Sequence, residues 1–170
     1  MRYQDCAEAL QAPDELPDGE AARRLAEANI NPATGLATDY LNHFNEAIML
    51  LEMLSSCPDC RDDFLGWRPM SYREHFAASG LKSRDLAIAA YEDADPGVRA
   101  GLDALAGTMT AMLEATRAAM RSDMPPEMAG ALADRAAAWL KPLVARAGAV
   151  INGEADAAAS TAPQAVVDGL

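Results

Sequence analysis

The chain has two histidines, and one of them, His43, lies four residues after Asp39 and three before Glu46. On a helix these steps hold the three side chains within an arc of about 60°. Carboxylate and imidazole donors suit iron, manganese or zinc, and helical bundles build such sites from facing helices. His75 is the fourth candidate metal ligand, and Glu52 and Glu92 could supply further carboxylates. The pattern departs from the paired Glu-x-x-His motif of helical di-iron sites: His43 precedes Glu46, and no second copy occurs. His43 and His75 could also serve as axial haem ligands, but Arg61 follows Cys60 where a haem-attachment motif has histidine. The competing reading is one interfacial histidine paired with Glu46 or Asp39.

Cys57 and Cys60 form a CxxC around Pro58 and Asp59. A structural zinc site needs four ligands, usually two such pairs, and only Cys6 and His75 remain to complete one. The βαβ context of a thioredoxin-like redox motif is absent. Incidental thiols, a contribution to a metal site and a redox pair all stay open.

Residues 61–84 differ from the rest. Arg61, Arg68, Arg73, Lys82 and Arg84 outnumber Asp62, Asp63 and Glu74 there, in a chain whose net charge is −12. The same stretch gathers Phe64, Trp67, Tyr72 and Phe76. Arginine with aromatics is what interaction surfaces enrich. Arg61, Phe64, Trp67, Arg68, Tyr72 and Arg73 are therefore the candidate interaction surface, unless the aromatics cap the end of a bundle.

Other chemistries leave no trace. There is no glycine-rich phosphate loop and no G-x-S-x-G elbow. A strongly negative chain repels phosphate backbones and anionic bilayers, which argues against nucleic-acid and membrane partners. No apolar run approaches the roughly 20 residues of a membrane span. The acidic start lacks the apolar core of a secretory signal, and an odd cysteine count makes no disulfide framework, so the cytoplasm is the expected compartment.

The elements that would position these residues are helical. Alanine is abundant and aromatics make up 5% of the 170 residues, a balance that favours helices over strands. A short amphipathic helix is expected over 19–29. The first strong helix covers 39–55, with Thr38 as N-cap and Leu41, Phe44, Ile48 and Leu51 on one face. An irregular connection covers 57–69. Ser71 and Glu74 read as a capping box opening a short helix, which ends near Gly80, and another covers 83–94. Asp95 and Pro96 open a helix to about Arg121, with Val98, Leu102, Leu105, Met109, Met112 and Thr116 as its stripe. The last helix spans 126–151, its stripe Met128, Leu132, Ala136, Trp139, Leu143, Ala147 and Val150, with Pro142 expected to kink or interrupt it.

The expected protein is all-α. Residues 1–37 form an N-terminal arm, 38–152 a four-helix-bundle-like domain whose fourth element is broken into two short helices, and 153–170 a disordered tail. Two functions follow. One is binding of iron, manganese or zinc through Asp39, His43, Glu46 and His75. The other is a non-catalytic interaction or regulatory module using the 61–84 segment, with a second copy or another protein as partner. Neither establishes an enzyme.

Overall fold

A computed structural model describes residues 18–57, 59–120 and 124–154. Residues 1–17 of the expected arm, Cys6 among them, and the tail from 155 onward lie outside the described residues, whereas Ile30, Leu36 and Ala37 of the same arm are buried in the core. Seven α-helices and no strand occur among the described residues, so the all-α reading holds. In chain order they are α1 (Asp18–Glu27), α2 (Leu41–Met53), α3 (Cys60–Gly66), α4 (Tyr72–Ala78), α5 (Arg84–Asp93), α6 (Pro96–Ala119) and α7 (Pro126–Ile151), with a 3-10 turn at Thr38–Tyr40 leading into α2.

The caps explain several boundaries. Asp95 accepts from the N–H groups of Gly97 and Val98, and Pro96 fills a position whose N–H would have no partner. Ser71 and Glu74 make the reciprocal capping box that starts α4. Thr38 does not cap as expected. The backbone enters through the 3-10 turn instead, with no side-chain cap.

The last helix organises the fold: α7 packs on α6 and on α2, α3 covers α2, and α4 pairs with α5 and touches the 3-10 turn. To serve two neighbours, α7 buries small residues: Ala129, Gly130, Ala133, Ala136, Ala137 and Ala147, with Leu140 and Ile151. Its backbone approaches the end of α2 closely. A Cβ on Gly130 would lie 3.3 Å from Ser55 Oγ, and that hydroxyl donates to the Asp134 carboxylate at 3.1 Å. Lys141 pairs with Glu52 along the same seam.

Three expectations change. The stripe on α7 is rotated, because Met128 and Trp139 are 60% and 57% exposed while alanines take the core positions. The connection over 57–69 contains α3, a seven-residue helix that propensity would not sustain and that burial of Phe64 and Cys60 holds in place. Finally, α7 runs through Pro142 as one helix, so the interruption expected as one outcome there does not occur. That residue lies on the exposed face, where water can serve the carbonyl left without an N–H donor.

The core itself is aromatic on one side only. Phe44 from α2, Phe64 from α3 and Tyr72 and Phe76 from α4 are all 2% exposed or less. Leu102, Met109 and Leu113 from α6 and Leu140 from α7 complete it. The turn before α2 is pinned by Gly35, whose φ of +71° few side chains tolerate, and by a bridge between Ile30 and Ala37.

Candidate functional site

His43 and His75 meet. Their ring centroids are 6.1 Å apart, with Tyr40 edge-on to His75 at 5.7 Å. The His43 side is closed by Trp67, whose indole stacks on the imidazole at 4.7 Å and 23°. The indole N–H donates to the His43 carbonyl at 3.3 Å, and the Met70 N–H donates to His43 Nε2 at 3.1 Å. An Nε2 that accepts leaves the proton of the neutral ring on Nδ1. Tyr40 completes the clamp by donating its hydroxyl to the Met70 carbonyl at 3.0 Å. A buried imidazole thus fixes the turn between α3 and α4.

The electrostatics follow from burial. Desolvation, helped by neighbouring His75, lowers His43 to about 4, so the ring is neutral at pH 7. His75 is lowered too, by burial, against an opposing pull from the Asp39 carboxylate and backbone. The Tyr40 phenol is pushed well up, first by burial and then by Asp103, Tyr91 and Glu74.

The four expected metal ligands are only partly brought together. Asp39 acts on His75 and faces the Asn29 amide at 3.4 Å, while Glu46 is exposed on α2. Among the described residues no three His, Cys, Asp or Glu side chains converge as a metal set. Cys57 and Cys60 are free thiols, the first half-buried and the second buried. A hydrogen bond with Cys57, with burial second, pushes the Cys60 thiol up.

The aromatic residues of the 61–84 segment turn inward. Phe64, Trp67 and Tyr72 are buried, so these expected surface residues belong to the core. The reason is compositional: α6 and α7 supply mainly alanine, leucine and methionine, and the aromatics fill the volume that alanine leaves. The arginines are drawn into structural work as well. Arg61 donates to the Met124 carbonyl at 3.0 Å, and Arg68 donates to the carbonyls of Leu65, Gly66 and Trp67, closing the end of α3. Arg73 pairs with Glu92. Arg68 and Arg73 are the exposed members of the set.

An apolar groove lies elsewhere. Between α6 and α7, Met112, Ala115, Ala119, Leu132 and Trp139 line a depression of about 250 Å³. Arg135 is its one charged lining residue among those described, and its guanidinium sits 5.2 Å from the Trp139 ring centroid. Met128, exposed, continues the α7 stripe one turn toward the N-terminus. The sequence contains this stripe but does not say which way it faces. The unusual run of alanines one position out of phase was the available signal.

No protein-family model, curated protein or solved structure matches the chain. No helix among the described residues is long and apolar enough to cross a membrane.

Proposed function

We propose that this chain is a non-catalytic interaction module that docks an amphipathic helix of another protein in the α6–α7 groove. The carrying observation is Trp139, 57% exposed beside an apolar groove. An indole left in water next to methionine, leucine and alanine is the kind of anchor that dominates interfaces. Charge selects the occupant. Among the described residues Arg135 is the groove's only formal charge, so two copies set face to face would present two guanidinium groups and no described groove carboxylate to meet them. A partner helix with carboxylates flanking its apolar stripe satisfies both groups.

The proposed frame is four-helix-bundle-like, with α4 and α5 as the broken element, and the proposed compartment is the cytoplasm. Metal binding is not carried into this reading. His43 Nε2, a natural donor atom, is engaged by the Met70 N–H.

The test uses two synthetic amphipathic helices with the same leucine stripe, one flanked by Glu and one by Lys. The Glu-flanked peptide should shift the exposed Trp139 emission to the blue and saturate. The Lys-flanked peptide should bind at least tenfold more weakly. Trp139→Ala should remove binding while leaving helicity intact. Equal binding of both peptides, or binding that survives Trp139→Ala, would sink the proposal. Sedimentation showing a Trp139-dependent homodimer would replace the foreign helix by a second copy.

A further inference from the structure

Away from that groove, four sulfur-bearing side chains follow one another where α2 ends. Met49, Met53 and Cys57 stand at four-residue steps, which keeps them within about 80° around the helix. The chain is still wound as a helical turn at that point, since the Cys57 N–H donates to the Met53 carbonyl at 2.8 Å. It then closes on itself, the Cys60 N–H donating to the Cys57 carbonyl at 3.1 Å. A four-residue turn of this kind brings its ends within about 7 Å. Two sulfurs that share an ion through bonds of about 2.3 Å stand at most about 4.6 Å apart, a span that side chains on such a turn can meet. Cys57 is also the hydrogen-bond partner of the Cys60 thiol.

The two methionines have little packing to do. Met49 is 52% and Met53 42% exposed, whereas Met109 and Met120 are fully buried in the core. Methionine usually serves as core filler, and one left in water keeps its thioether sulfur open as a donor. Both thiols are free. Cys57 is half-buried and reachable from solvent, while Cys60 is buried at the start of α3.

The donor set selects the ion. Among the described residues no third His, Cys, Asp or Glu joins the two thiols. Zinc takes four such donors, and calcium or magnesium takes a cage of oxygens. Thiolate and thioether are soft ligands and suit Cu(I). Met53 lies one turn from Cys57, whereas Met49 lies two.

We propose that Cys57, Cys60 and Met53 bind one Cu(I) ion, the cysteines as thiolates and the methionine as a third, weaker donor. Each thiol releases its proton to solvent as its sulfur–copper bond forms, so two protons leave and no electron moves. The site is independent of the α6–α7 groove, which is lined by none of these residues.

The test is anaerobic titration of the full, reduced chain with Cu(I) supplied as its coloured bicinchoninate complex. The chain should withdraw one equivalent, with a thiolate–copper absorption appearing in the ultraviolet. Cys57→Ser and Cys60→Ser should each weaken binding about a hundredfold, and Cys6→Ser should leave it unchanged. Cys57 lies outside the core, so Cys57→Ser keeps its helicity even where the buried Cys60→Ser loses some. Met53→Leu should weaken binding about tenfold and Met49→Leu far less, and both positions are exposed enough to accept leucine without repacking. No withdrawal of Cu(I), withdrawal that survives Cys57→Ser, or equal effects of Met53→Leu and Met49→Leu would overturn the proposal. So would loss of binding in Cys6→Ser, or bound Zn²⁺ that Cu(I) does not displace.

Discussion

Burial of His43 makes the fold acid-sensitive in a calculable way. The folded imidazole titrates at about 4, against 6.5 for the free group. In this window the unfolded chain binds the additional proton, so stability rises with pH. The contribution is fully present above the unfolded value and is lost as pH falls toward 4. Between pH 7 and pH 5 the loss is about 2 kcal/mol, and it approaches about 3 kcal/mol once both states are protonated. His75, lowered by its own burial, acts in the same direction. Urea unfolding at the two pH values measures the loss, and the unfolding temperature should fall by about 4–8 °C. The control is His43→Gln, whose amide oxygen can accept from the Met70 N–H but cannot titrate. Its loss between the same pH values should be smaller by about 2 kcal/mol. Equal losses in wild type and variant, within about 0.5 kcal/mol, would refute the argument that His43 is buried neutral.

Two backbone substitutions test the frame around this cluster. Gly35→Ala should destabilise by about 2 kcal/mol or more, since it forces a methyl into the left-handed region and to 2.7 Å from the Ala90 carbonyl oxygen; a neutral result in urea unfolding would contradict the tight turn. Pro142→Ala restores an N–H inside an exposed stretch of α7 and should stabilise by about 1–3 kcal/mol in the same assay. Destabilisation there would mean that the packing of α7 uses the proline's geometry.

Helix existence was legible where local chemistry writes it down. Asp95 before Pro96, and Ser71 three residues before Glu74, specify their helix starts by hydrogen bonds formed within a single turn. The α2 face was legible too, because Leu41, Phe44, Ile48 and Leu51 differ sharply from Asn42 and Asn45. What one turn cannot encode was missed. On α7, alanine lies on most sides, so periodicity follows the few large residues, while tertiary packing selected the small ones and left Trp139 outside. The short α3 depends on Phe64 reaching a core built by distant helices. The spacing of His43 from Asp39 and Glu46 points to partners on its own helix, but its actual partners, Trp67 and the Met70 N–H, lie more than twenty residues away.

The central place of α7 also has a consequence in time. Both α2 and α6 pack against it, yet of the described helices it is the last to leave the ribosome. The end of α2 is made about 100 residues before the end of α7, which at ordinary synthesis rates means a wait of roughly 5–20 s. During that interval α2 has α3 for company but not the alanine-rich α7 that it finally meets. Synthesis therefore passes through a stage in which apolar residues from both ends of the fold are made and still uncovered. A nascent chain stalled before residue 126 should consequently attract holding chaperones, and one that has released residue 151 should shed them.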